Sequence, residues 1–249
     1  MAFDPDLYDR LHTGNDGDVA FYRRWCAGAS GVLELGCGSG RILAALAADG
    51  HTLVGVDLHP GMCARARARV PGARIVEADM AEVDLGERFD RVLLPYNSLY
   101  CAPDDAGVVA VLARAAHHLR PEGLVIFDGY RVLVDADELI DDEAPEWIAT
   151  LRDGARRIEV LEQDRHQPAA RDCTVTYVHR IRGPRGQREE HTYTIRHHYL
   201  SPEVLPDLLA RAGLRLVALF GELDESPLDE GDRLVVVAGL SSAPPPGGP

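Results

Sequence analysis

The sequence predicts an α/β fold, a doubly wound and mostly parallel sheet with an antiparallel β insertion. Three observations predict it. From Gly31 onward, short and nearly continuous apolar runs alternate with helical stretches, as parallel strands covered on both faces require. A glycine-rich loop joins the first run to the first helix. After Tyr130 the alternation gives way to three consecutive β-like stretches, two of them flanking the turn signal Gly183-Pro184-Arg185-Gly186.

Residues 1–30 read as an N-terminal helical lid segment, with Tyr8, Phe21, Tyr22 and Trp25 and a helix over 18–26. Residues 31–130 are the core. Its strands are expected over 32–37, 52–57, 74–80, 89–97 and 123–130. Helices are expected over 40–49, 60–70 and 104–119, with Gly50 and Pro121 just past helix ends. Residues 131–200 form the insertion, acidic and partly helical over 131–154, then extended over 156–164, 173–181 and 190–200. Residues 201–240 return to the core pattern with a helix over 201–214 and strands over 215–220 and 233–240. The proline- and glycine-rich stretch 241–249 reads as a disordered tail.

Composition excludes several chemistries. All 26 basic residues among the 249 are arginine, so no mechanism can use a lysine amine. Against 40 acidic residues the net charge is −14, which opposes nucleic acid and anionic membrane as partners. The five cysteines are widely spaced with no CxxC, as reduced cytoplasmic thiols would be. The start, MAFDPDLYDR, lacks the basic and apolar regions of a signal peptide. No apolar run approaches the roughly 18 residues of a membrane span. The expectation is a soluble cytoplasmic protein.

The strongest local signal is Glu34-Leu35-Gly36-Cys37-Gly38-Ser39-Gly40-Arg41, between a strand and a helix. Its glycines at 36, 38 and 40 depart from the GxGxxG dinucleotide spacing. Asp57 ends the next strand, 57 − 36 = 21 residues after the first glycine, where a carboxylate can take both hydroxyls of a ribose. Asp79-Met80 follows the third strand and suits an adenine, with its amine on the acid and its face on the sulfur. These residues resemble the class I S-adenosylmethionine (SAM)-dependent methyltransferases, a Rossmann-like family. The resemblance covers about residues 31–130 and returns loosely in the last helix and strands. It implies SAM as cofactor, S-adenosylhomocysteine as product, and a methionine end wrapped by Glu34, Gly36, Cys37, Gly38 and Gly40. It implies a ribose on Asp57 beside Leu58, and an adenine between Asp79 and Met80.

The fourth strand ends Leu94-Pro95-Tyr96-Asn97 and lacks the [DN]PP[YF] of amino-directed nucleic-acid methyltransferases. It is similar to the small-molecule branch, with glycine N-methyltransferases and amino-sugar N,N-dimethyltransferases. Pro95 then borders the cofactor, and Asn97, Ser98 and Tyr100 are candidates for the reacting-group pocket. A strand cap is the other reading of Asn97. The same branch implies that Tyr8 closes over the sulfonium, where an aromatic face attracts a cation; packing is the other reading.

In the insertion, His191, Tyr193, Ile195, His197 and Tyr199 share one strand face, and Cys173, Val175, Tyr177, His179 and Ile181 a matching one. Such a surface suits a roof over the substrate pocket or a homodimer interface. Tyr100, His197 and His198 are candidate bases. His197 and His198 point to opposite faces, so they cannot share a metal, and the sequence shows no metal-ligand set. The acidic run Asp135, Asp137, Asp141 and Asp142 reads as a solvated face. The reading is methyl transfer from SAM to a small molecule, at an amine nitrogen before a hydroxyl or carbon. The alternatives are a nicotinamide-dependent oxidoreductase and a non-catalytic SAM-binding protein.

Overall fold

In the computed structural model the described residues are 4–133 and 140–241. They fall into two units: one of residues 14–132 and 200 onward, the other of the N-terminal residues to Thr13 with 133–199.

The larger unit holds a seven-stranded sheet. Its strands are β1 (Gly31–Leu35), β2 (Thr52–Asp57), β3 (Arg74–Glu77), β4 (Phe89–Leu94), β5 (Leu119–Tyr130), β11 (Leu214–Phe220) and β12 (Arg233–Leu240). The order is β11-β12-β5-β4-β1-β2-β3. The β3-β2-β1-β4-β5 pairings are parallel, while β12 and β11 run antiparallel. All five residues of β1 are buried, as helices on both faces demand. Those helices are α2 (Asp18–Cys26), α3 (Arg41–Leu46), α4 (Pro60–Arg69), α5 (Asp105–His117) and α6 (Leu205–Arg211). In register, Leu35 lies opposite Val56 and Glu34 opposite Leu93, so the loops after β1, β2 and β4 leave from one sheet edge, where open α/β sheets bind ligands.

The smaller unit combines α1 (Pro5–Leu11) with β6 (Ile140–Asp141), β7 (Glu146–Asp153), β8 (Arg156–Gln167), β9 (Asp172–Arg182) and β10 (Arg188–His198). Its sheet is antiparallel, in the order β10-β9-β8-β6, and β7 also pairs with β8. Along β10 burial alternates from residue to residue, the mark of a sheet packed on one face.

Three expectations are corrected. The acidic stretch expected to be partly helical has no helix among its described residues, which form β6 and β7 with turns and coil beside them. Trp147, Ile148 and Thr150 favour the pleat, and β7 pairs with β8 from Glu146 opposite Glu162 to Asp153 opposite Arg156. The helix expected over 201–214 shortens to α6, because Pro206 sits in its first turn and Gly213, at φ 77°, turns the chain into β11. The N-terminal segment is not one piece. Asp4 caps an unforeseen helix α1, its Oδ1 accepting from the Asp6 amide at 2.9 Å, and the chain changes unit at Thr13. Asp135, Asp137 and the tail beyond Ser241 lie outside the described residues.

Candidate active site

The loop after β1 is built to come close to a ligand. Gly36 has φ 71°, and a Cβ there would stand 2.9 Å from Ser98 Cβ, so only glycine fits the turn. Gly38 also has a positive φ, 52°, but a Cβ there would meet nothing within 4 Å. Its backbone therefore faces open space. Gly40 caps α3 in the left-handed conformation. Cys37 is buried, its amide donating to the Val56 carbonyl at 2.9 Å. Burial pushes its thiol upward, which makes it an inert packing group.

Two carboxylates flank this loop. Asp57 accepts from the Gly38 amide on Oδ2 at 2.8 Å and from the His59 amide on Oδ1 at 2.9 Å. A carboxylate offers about four acceptor positions, so each oxygen keeps one for a ligand. Glu34 is 3% exposed, and its Oε2 is buried with no hydrogen-bond partner. Burial pushes its carboxyl up to about 8 against the pull of the nearby Arg41. An orphaned buried acceptor beside an open glycine backbone fits a cationic ligand group.

The structure brings the third-strand residues to the same place. The Ala78 amide donates to the Asp57 carbonyl at 3.0 Å, which draws Asp79 and Met80 in behind Asp57. Met80 Sδ would be 4.0 Å from a Gly36 Cβ. Asp79 is exposed and accepts from the Ala81 amide at 2.8 Å. Leu58 is 68% exposed, an apolar side chain without cover in this unit. The Pro95 carbonyl accepts from the Ser98 amide at 3.1 Å, and Ser98 Oγ donates to the Gly36 carbonyl at 3.4 Å. The β1 and β4 loops are thereby tied together.

Beyond Pro95 two residues without glycine's freedom take positive φ, Tyr96 at 55° and Asn97 at 62°. Such strain persists only when its surroundings overdetermine it. Here Asp128 does so. It is 1% exposed, and its Oδ1 accepts from the Tyr22 hydroxyl at 2.6 Å and the Tyr96 amide at 2.9 Å. Asn97 Oδ1 accepts from the Tyr130 amide at 3.0 Å. Tyr100 is 1% exposed, with its hydroxyl donating to the Tyr130 carbonyl at 3.0 Å, and burial pushes it well above the ordinary tyrosine range. It packs the β4–β5 edge rather than serving as a base. The buried Asp18 and half-buried Arg41, joined at 2.6 and 3.0 Å, stand beside this loop, with the guanidinium 5.9 Å from the Tyr96 ring. Sequence reasoning missed Asp18, Tyr22 and Asp128. The available signal was an acid inside the apolar strand Leu119–Tyr130.

In the smaller unit, a second set of groups gathers on the packed face. Tyr8 lies 4.0 Å from His12, and His12 lies edge-on to Tyr177 at 5.4 Å, between ring centroids. Tyr177 stacks on Tyr193 at 5.1 Å, and His179 meets Tyr193 at 5.3 Å. Burial, then the neighbouring His197 and His179, push His12 down to about 4. Burial likewise pushes His197 down to about 4. Both imidazoles are neutral at pH 7, because burial disfavours their protonated forms. His198 belongs to the opposite face, its Nδ1 3.1 Å from Asp172 Oδ1. His12 was missed because α1 was not foreseen.

Comparison with known proteins bears on the larger unit first. Residues 32–123 match the family described as a methyltransferase domain. The dTDP-3-amino-3,6-dideoxy-alpha-D-glucopyranose N,N-dimethyltransferase of Streptomyces fradiae is 34% identical over 131 residues, 49% of this chain and 51% of its own. The dTDP-3-amino-3,4,6-trideoxy-alpha-D-glucopyranose N,N-dimethyltransferase of Streptomyces venezuelae is 28% identical, over 49% of this chain and 55% of its own. The chain thus spans about half the length of the curated relatives it matches. A sugar N-methyltransferase structure from Streptoalloteichus shares the fold at a TM-score of 0.78 and 20% identity, covering 97% of this chain and 94% of that one.

Proposed function

We infer that this chain, whose residues 32–123 match the methyltransferase domain family, is a SAM-dependent methyltransferase acting on the amine of a small amino sugar. The observation that carries the cofactor reading is the acceptor set around the open Gly38 backbone: the orphaned Glu34 Oε2 and the two half-used oxygens of Asp57. A nicotinamide reading leaves Glu34 without a partner. SAM would supply a methyl group activated by a sulfonium, together with an ammonium, a ribose diol and an adenine.

The chain's own residues then have separate tasks. Glu34 receives the ammonium and Asp57 the diol, while Asp79 takes the adenine amine between Met80 and Leu58. Asn97 and Tyr100 hold the β4–β5 edge rigid, and Pro95 borders the methionine end. The sugar reading rests on the relatives, each named as an amino-sugar N,N-dimethyltransferase. Transfer needs a neutral amine held in line with the methyl carbon. With Trp147 63% exposed on β7, which among the described residues pairs only with β8, a homodimer is the proposed assembly, and analytical ultracentrifugation reads it. A cytoplasmic setting suits the five free cysteines.

The test is calorimetric titration with SAM and with NADH, followed by mass spectrometry of a dTDP-amino sugar incubated with protein and SAM. SAM binding and mass gains of one or two methyl groups are expected. NADH binding without SAM binding overturns the cofactor reading. SAM binding with no methylated product across a panel of amino sugars and simple amines overturns the acceptor.

A further inference from the structure

The antiparallel sheet carries a group of side chains with no part in methyl transfer. His166 on β8 lies directly opposite Cys173 on β9, and Cys173 directly opposite His197 on β10. Asp164, two residues before His166, is on the same strand face. Three donor atoms converge there: His166 Nε2 is 3.6 Å from Cys173 Sγ and 3.8 Å from Asp164 Oδ2, and all three lie within 4.8 Å of one another.

Two ordinary explanations fit this geometry poorly. A nucleophile–base–acid relay needs the thiol and the carboxylate on different ring nitrogens, whereas here both address Nε2. The thiol is also 1% exposed, which bars it from acting as a nucleophile. A simple hydrogen-bonded cluster is incomplete. One proton on Nε2 serves two acceptors, while Asp164 Oδ1 and His166 Nδ1 are buried with no hydrogen-bond partner. A metal ion serves all three donors at once. With bonds of about 2.0–2.3 Å, tetrahedral ligands stand about 3.3–3.8 Å apart; the two separations from His166 Nε2 are 3.6 and 3.8 Å, and the third is within 4.8 Å. Thiolate, imidazole and carboxylate together suit zinc or cobalt and not magnesium or calcium.

We propose that Asp164, His166 and Cys173 bind a divalent transition-metal ion of the zinc type, with solvent in the fourth position. Asp164 keeps 32% of its side chain exposed and gives the ion its way in. The ion would cross-link β8 and β9, an antiparallel pair whose own stability in water is marginal without packing. The site stands independently of the methyl-transfer reading.

The test uses the full chain, stripped by a chelator, desalted and titrated with Co²⁺ alone. One equivalent is expected to give a saturable thiolate-to-cobalt absorption band, displaced by Zn²⁺. Cys173→Ser is expected to abolish the band, while Cys101→Ser, at an exposed cysteine, leaves it intact. Asp164→Asn keeps the thiol and is expected to weaken affinity by at least about tenfold, as even outer-shell losses do. No saturable band at one equivalent overturns the proposal, as does a band that survives Cys173→Ser. If Cys173→Ser does not fold, an affinity unchanged in Asp164→Asn overturns it equally.

Discussion

The two sheets of this protein solve different problems. In the larger unit β1 is buried end to end and β12 nearly so. Packing against helices dictates almost every side chain, and the polar groups described above, Glu34, Asp57 and Asp128 among them, sit near the ends of strands and in the loops that follow. In the smaller unit one face stays wet, as the mostly exposed β7 and the alternating β10 show. The unit buries tyrosines and histidines such as Tyr177 and His179 alongside aliphatic residues such as Ile158, Val160 and Val175. The lesson is a division of labour. A rigid parallel sheet can hold an invariant ligand such as a cofactor. A half-buried antiparallel sheet tolerates polar and aromatic substitution, and suits a variable one.

That comparison can be broken by separating cofactor from acceptor effects. The largest effect is expected from Asp57→Ala. It removes two charge-assisted hydrogen bonds to the ribose, a loss of about 2–4 kcal/mol, or ~30- to 1000-fold in SAM affinity by calorimetry. The acceptor's affinity should move little. An unchanged SAM affinity would place the cofactor elsewhere.

Next comes Glu34→Gln, whose effect depends on pH. In the unfolded chain this carboxyl ionises near 4.3, whereas the folded one holds its proton to about 8. Its contribution to stability is therefore complete below about pH 4 and is lost as pH rises through 8. Without ligand, the variant is expected to exceed the parent in stability by about 1–3 kcal/mol at pH 9, with the gain fading toward pH 5. Urea denaturation at the two pH values measures this, and SAM affinity should fall in the same variant. A gain that does not vary with pH would show that Glu34 is not a buried titrating group.

Tyr193→Ala sharpens the comparison from the other side. Losing its stack on Tyr177 and its contact with His179 is expected to cost about 1–3 kcal/mol of stability in urea denaturation. SAM affinity should stay within about threefold. If instead SAM affinity falls sharply, the division of labour between the sheets is wrong. The smallest effect is Leu58→Ser. Removing one apolar contact to an adenine should weaken SAM by under about 1 kcal/mol, visible in calorimetry as a few-fold change.

Much of the larger unit was legible before any coordinates. Continuous apolar runs mark parallel strands because both faces are covered. Glu34, Gly36, Gly38, Gly40, Asp57, Asp79 and Met80 were readable because a strand–loop–helix turn imposes its residues locally. Legibility failed where distant chain segments meet. Nothing near Asp128 in sequence announces that its carboxylate pins Tyr96, and its backbone carbonyl Asn97, in strained conformations. The acids around β7 suggested a solvated helix because exposed strands on a sheet's outer side carry charge as readily as helix faces do.

The sequence by itself determined the class of the fold, the glycine loop with its acids, and the chemistries closed to a chain without lysine. These follow from local rules of backbone freedom, residue spacing and side-chain pattern. Only the tertiary structure decided that Tyr100 is a packing residue, that α1 brings His12 to Tyr177, and that Asp164, His166 and Cys173 converge on one point. Strand register made those decisions. A shift of one residue turns every side chain to the opposite face, and register is settled by the packing of the whole sheet, not by any short stretch of sequence.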